Sequence, residues 1–211
     1  MKKIGIIGSG QVGQALAVGF VRHGYDVQIG SREGKKIEKW DDGKVGKFDA
    51  VAKWADTVVL AVQGQAAQAV AKSLAPHLKG KTVIDATNPI DHTAKPEDGV
   101  LKFFTDLNQS LMEKLQKTVP DAHFVKAFNS VGSMFMVDPD FDGIKPTMFI
   151  CGNSESAKKD VTVILTKFGW EVADMGTATA ARAIEPLCML WCIPGLLRND
   201  WSAHTFKMLK K

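Results

Sequence analysis

The chain has 211 residues, 45% of them hydrophobic and 24% charged, with a formal net charge of +4. That is enough apolar matter for one ample domain, or a domain with a small appendage. Its lysines and arginines are scattered, with no run of five, which argues against a nucleic-acid surface. The odd cysteine count, Cys151, Cys188 and Cys192, argues against a disulfide framework and for free thiols in a reducing compartment.

In chain order, Lys2 to Ile7 reads as a buried strand ending in glycine. Its apolar part is too short for a signal-peptide core, and no run of eighteen apolar residues follows, so a cytoplasmic protein without a membrane partner is expected. Gln11 to His23 carries Val12, Leu16, Gly19 and Phe20 at helical spacing, and Gly24 closes it. Asp26 to Gly30 is a second strand, and Thr57 to Val62 is a third, apolar throughout as a strand covered on both faces should be. Ala66 to Leu74 reads as a helix stopped by Pro76, Thr82 to Asp85 as a strand, Leu107 to Lys117 as a helix, and His123 to Phe128 as a strand. The segment from Asp91 to Thr105 holds Pro96, Gly99 and mixed charge, and reads as a loop over a ligand site. A shorter unit follows, with strands at Thr147 to Cys151 and Trp170 to Asp174 and a helix from Ser154, its N-cap, to Phe168. Ala178 to Ile193 is an apolar helix broken by Pro194 and Gly195, ahead of a last segment with Trp201 and Phe206. This alternation predicts an α/β, doubly wound, mostly parallel sheet. The division expected is a nucleotide-binding portion over 1–130 and a small C-terminal α/β portion over 131–211 that completes a cleft.

The strongest local signal is Gly8-Ser9-Gly10-Gln11-Val12-Gly13, a G-x-G-x-x-G between an apolar strand and an amphipathic helix. Gly8 permits the tight turn, Gly10 leaves room for a pyrophosphate, and Gly13 lets helix and strand pack closely. The helix N-terminus adds unpaired N–H groups and the positive end of its dipole. The tip of the second strand selects the dinucleotide. An NAD site places a carboxylate about 20 residues on, at the ribose 2′-hydroxyl. Here the strand runs into Ser31 and Arg32, with Lys36 close behind. A guanidinium fork suits a 2′-phosphate, which a carboxylate would repel, so NADP(H) is expected over NAD.

Ser31-Arg32, Asp85-Ala86-Thr87-Asn88-Pro89, Val125-Lys126-Ala127-Phe128-Asn129 and Ala181-Arg182-Ala183-Ile184-Glu185-Pro186, taken with the glycine loop, resemble the coenzyme F420-dependent NADP oxidoreductases. The cytoplasmic reductase domains of membrane metalloreductases share this Rossmann type. The resemblance runs over nearly the whole chain. It implies an NADP-dependent enzyme, frequently a homodimer, that exchanges hydride with a small-molecule acceptor: coenzyme F420, or FMN or FAD, in a cleft between the two portions. It also implies that Ser9, Gln11 and Val12 face the pyrophosphate, and that Ser31, Arg32 and Lys36 hold the 2′-phosphate. Ala61, Val62 and Gln65 would line the ribose and adenine side, and Asn88, Pro89, Ala127 and Asn129 would flank the nicotinamide. These positions agree with ligand binding beyond the carboxyl ends of parallel strands.

Hydride transfer to a stacked ring needs little acid–base work from the protein, so the lack of a triad or dyad is compatible with catalysis. The candidates for direct participation are Asn88, Asn129 and His92, the last a proton donor near neutral pH in the expected lid. Cys188 and Cys192, four apart on one helix face, have no partner set for a metal and read as packing residues. Met134, Phe135 and Met136 read either as the floor of an acceptor pocket or as core, and Trp191 and Trp201 as buried, across a dimer for instance. Two further readings stay open: reduction of a small imine or carbonyl compound, which would use His92, and a non-catalytic NADP(H)-sensing module, favoured if the nicotinamide face is plugged.

Overall fold

The structure is a computed structural model and describes residues 2–34, 37, 40 and 43–211. Strands β1 (Lys3–Ile7), β2 (Asp26–Ser31), β3 (Lys44–Lys47), β4 (Thr57–Leu60), β5 (Thr82–Asp85), β6 (His123–Lys126), β7 (Thr147–Gly152) and β8 (Glu171–Asp174) form one sheet. Its order is β3-β2-β1-β4-β5-β6-β7-β8. Every neighbouring pair is parallel except β6 and β7, so the predicted α/β, mostly parallel doubly wound architecture holds. The chain leaves β1 for β2 on one side and returns past β1 to β4 on the other. That reversal opens a crevice above the carboxyl ends of β1 and β4, where such sheets bind ligands.

Helices α1 (Gln11–Arg22), α2 (Phe48–Trp54), α3 (Gly64–Leu78), α4 (Leu111–Thr118), α5 (Glu155–Lys167), α6 (Ala181–Ile184) and α7 (Leu187–Arg198) cover the two faces. Ile4, Ile6, Ile29 and Val59 meet Leu16 and Phe20 of α1 and Val161 and Leu165 of α5 in one core. Ile7, Val58, Leu60 and Val83 meet Ala67, Ala71 and Leu74 of α3 and Met112 and Leu115 of α4 in the other. Strands buried on both faces carry apolar residues without alternation, as β4 does.

Several expected boundaries move, each for a local reason. α3 runs through Pro76 to Leu78, because the buried stripe Ala67, Ala71, Leu74 and Leu78 continues to its end while Pro76 itself is exposed. α4 starts at Leu111 and not at Leu107: Ser110 and Glu113 form a capping box, Asp106 turns the chain before it, and Leu107 points to solvent. β6 ends at Lys126 because Phe128 adopts a left-handed φ of 65°. The C-terminal helix is divided at Glu185 and Pro186, then passes Pro194 and stops at Asn199, whose φ is 54°. β3 and α2 were not foreseen. Taken together, Ala178–Arg198 is long and apolar enough to cross a membrane by length and composition, with mean hydropathy 1.3 over its window. It nonetheless carries Arg182 and Glu185 in ion pairs with Glu113 and Lys126.

Candidate functional site: a dinucleotide crevice

The three motif glycines do different work. Gly8 sits at φ 128° with its α-carbon against the backbone of Ala61, and a β-carbon at Gly13 would strike the carbonyl of Gly8. Both positions are closed to any side chain. A β-carbon at Gly10 would meet nothing within 4 Å, so the space above it is open. Gly10 is also the N-cap of α1, with no side-chain cap and no acidic residue in the first turn. Its loop is held from below: Gln14 Nε2 donates to Ser9 O at 2.8 Å and Gly8 N donates to Gly30 O at 3.1 Å. An uncapped helix N-terminus under open space is the geometry a pyrophosphate needs.

A cavity of about 550 Å³ starts at Gly10, Gln11 and Val12, passes Ala61 and Val62 at the exit of β4, and reaches Asn88 and Asn129 beyond β5 and β6. His92 lies at its rim and is exposed. Among the described residues, its lining includes no aspartate, glutamate, lysine or arginine. Pro89 and Ala127 are buried behind that lining, and Ser9 is half-buried in the loop. Gln65 is exposed and reaches Asp91 Oδ1 at 3.4 Å. Ser31 closes β2, Arg32 follows it exposed, and Lys36 lies outside the described residues. The unforeseen strand β3 adds Lys47, in register opposite Ser31, to this end of the sheet.

Asn88 and Asn129 are tied together. Asn88 Nδ2 donates to Asn129 O at 2.8 Å, and Asn129 Nδ2 donates to Ile184 O at 2.9 Å and Asn88 Oδ1 at 3.3 Å. Asn129 Oδ1 is buried with no hydrogen-bond partner among the described residues. Leaving such an acceptor unmade costs about 1–3 kcal/mol, so it is a natural station for a ligand donor such as a carboxamide. The left-handed turn at Phe128 presents Asn129 to the cavity.

Directly beneath lies a charged cluster of three residues, one from each of three segments that carry the family resemblance, though sequence reasoning assigned them no role. Lys126 Nζ is fully buried, 2.7 Å from Asp85 Oδ2, 3.0 Å from Glu185 Oε1 and 2.9 Å from Thr87 O. Burial pulls the ammonium down, but Asp85 and Glu185 together outweigh it and hold Lys126 above its ordinary value. Asp85 Oδ1 also accepts from Thr87 N and Oγ1. Glu185 accepts from Leu111 N and Met112 N at 2.9 and 3.0 Å, placing the second carboxylate on the positive end of α4. The cluster pins the exits of β5 and β6 to the start of α7, and so fixes the cavity floor.

The far end of the cavity comes from the C-terminal helix. Cys188, Cys192 and Trp191 line it with Val131, Gly132 and Met136, whereas Met134 is 83% exposed and points away. The two cysteines, read from spacing as packing residues, thus also form cavity wall. All three cysteines are free thiols. The neighbouring Cys192 thiol, together with burial, pushes the Cys188 thiol up, and Cys188 in turn draws the Cys192 thiol down.

Comparison with known proteins places this architecture. Residues 3–89 match the family model described as NADP oxidoreductase, coenzyme F420-dependent. The F420-dependent NADP reductase of Methanothermobacter marburgensis is 32% identical over 217 residues, covering 93% of this chain and 95% of that protein. The chain belongs to the F420-dependent NADP oxidoreductase family. A crystal structure of a candidate F420-dependent NADP reductase from Arthrobacter sp. FB24 superposes with a TM-score of 0.91, 28% identity and complete coverage of both chains. The chain is also similar to the rat metalloreductase STEAP3, at 30% identity over 208 residues and 92% of this chain. This chain spans 39% of that protein's length, about two fifths, so the match concerns one portion of it.

Proposed function

We propose that the chain binds NADP(H) in this crevice and transfers hydride between it and a flavin-like small molecule, a deazaflavin such as coenzyme F420 or a flavin. The reading is carried by one observation: a single cavity joins the uncapped start of α1 to an apolar end without charged lining. The first half suits a pyrophosphate and the second a neutral ring. Bound NADPH supplies the hydride, and the protein's contribution is to bind, orient and keep water out.

On this reading Gln11 and Val12 offer backbone N–H groups to the phosphates. Ser31, Arg32 and Lys47 meet the 2′-phosphate, with Lys36 added from the sequence. Asn129 Oδ1 accepts from the nicotinamide carboxamide, and Asn88 holds Asn129 in place. Met134 points away, and although Met136 and the α7 residues Cys188, Trp191 and Cys192 wall the space beside Asn88 and Asn129, a cavity of about 550 Å³ stays open there, which supports catalysis over sensing. The test is NADPH oxidation followed at 340 nm with coenzyme F420, FMN and FAD as acceptors. Tight NADPH binding without turnover on any of them would remove the flavin-like acceptor and favour the sensing reading, with carbonyl or imine reduction still to be tested.

His92 at the cavity rim favours a second reading, reduction of a small carbonyl or imine, in which a proton must be delivered to the product. His92→Asn should then flatten the pH profile of turnover, and an unchanged profile removes this reading.

A further inference from the structure

The wall opposite the glycine loop is built on Trp191. Its indole abuts Gly132, where a β-carbon would lie 2.7 Å from the ring, so glycine is required there for the ring to close the cavity. His204 holds the indole from the outside. The two rings stack with centroids 4.7 Å apart and 17° between planes. Trp191 Nε1 donates to His204 O at 2.9 Å, and His204 Nε2 lies 2.8 Å from Trp191 O. Residues 200–208 then strap this pair to the body. Trp201 packs on Gly195, Thr147 N donates to Phe206 O, and Lys207 pairs with Glu171. A half-buried indole fixed on several sides, with Cys188, Cys192 and Met136 around it and no aspartate, glutamate, lysine or arginine in the lining among the described residues, is a preorganised aromatic surface.

We propose that Trp191 is the specificity-determining residue of the acceptor subsite: it packs against a planar, uncharged, conjugated ring and selects such rings over carboxylate-bearing ones. His204 is a positioning residue that acts through Trp191. The inference rests on the proposed function, since it locates the acceptor beside the dinucleotide. The physical grounds are two. An aromatic face rewards a flat ring beyond its buried area. Inside the rim residue His92 the lining holds no lysine or arginine among the described residues, so a carboxylate carried on the ring itself goes unpaired there, at a steep desolvation cost.

The test uses binding, so that it does not depend on turnover. The full chain is loaded with 1,4,5,6-tetrahydro-NADP, a redox-inert analogue, and titrated calorimetrically with lumiflavin, a neutral tricyclic ring. Trp191→Ala should weaken lumiflavin about tenfold, Trp191→Phe should stay within about threefold of the parent, and the affinity for the dinucleotide should not move. Trp191→Leu keeps apolar bulk and replaces the alanine variant if that one does not fold. His204→Ala should weaken lumiflavin in the same direction, again at constant dinucleotide affinity. With 2-naphthamide and 2-naphthoate as a matched pair, the neutral amide should bind at least about tenfold tighter. Lumiflavin affinity indifferent to Trp191, or naphthoate binding as well as naphthamide, overturns this inference alone. Failure of the dinucleotide analogue to bind the parent protein overturns the proposed function, and this inference with it.

Discussion

The ammonium of Lys126 is fully buried, and among the described residues Asp85, Glu185 and the Thr87 carbonyl hold it. Lys126→Met would leave two carboxylates facing each other in the interior, and removing one partner from a buried ionic cluster costs about 3–5 kcal/mol. Urea unfolding should register that loss, and Asp85→Asn with Glu185→Gln should recover much of it in the same background. Intact stability in the single variant would show that the cluster is dispensable. Arg32 poses a different question, because its expected partner is a ligand. Arg32→Asp should weaken NADPH by about ten- to hundredfold while sparing NADH, as expected for loss of a charge-assisted contact. Equal losses for the two nucleotides in calorimetry would refute the 2′-phosphate role. Lys47→Ala should give a smaller loss of the same selectivity. The glycine loop and Ser31-Arg32 were legible from types and spacing alone. Lys47, Lys126 and Trp191 were not, because each acquires its meaning from partners far along the chain: β2 for Lys47, Glu185 for Lys126, His204 for Trp191.

Among the elements, α4 shows most clearly how the chain sets a boundary. Its capping box satisfies two N-terminal groups reciprocally, with Glu113 N donating to Ser110 Oγ at 3.1 Å and Ser110 N to Glu113 Oε2 at 2.8 Å. Ser110→Ala should cost about 1 kcal/mol in thermal or urea unfolding. Glu113 also takes a bidentate contact from Arg182, at 2.7 and 3.0 Å, and that bond first, with Ser110 after it, holds the carboxyl down to about 2 from its ordinary 4.5. A lowered folded-state value means the contribution is complete above about 4.5 and is lost as pH falls toward about 2. Acid titration of stability should therefore show a component in that window which Arg182→Ala abolishes. Long, strongly patterned elements such as α1 and α5 were readable within a residue or two. β3 and α2 escaped because β3 is short, half-polar and at the sheet edge, where burial writes little into the sequence. Both prolines read as stops proved to lie inside helices, because the apolar face on either side of each outweighs the missing N–H.

At the scale of the whole molecule, one continuous sheet carries the glycine loop, the two asparagines and the strands that support the C-terminal helix. Ligand binding should therefore be felt globally. NADPH at a hundred times its dissociation constant should add about 2.7 kcal/mol to unfolding, seen as a rise in Tm, and no rise at saturation would contradict binding to the folded chain. The parallel sheet and its crevice were legible from alternation. The closing of that crevice by α7 was not, since an apolar run does not say which of its sides meets a cavity. The loop at β1 has a further consequence. At Gly8 and Gly13 an added methyl group collides with the chain itself, whereas at Gly10 it enters vacant space. A Gly10→Ala protein should thus melt, migrate and scatter light like its parent yet take up no dinucleotide. Shape and occupancy part company within six residues, and selection on folding alone would never notice the difference.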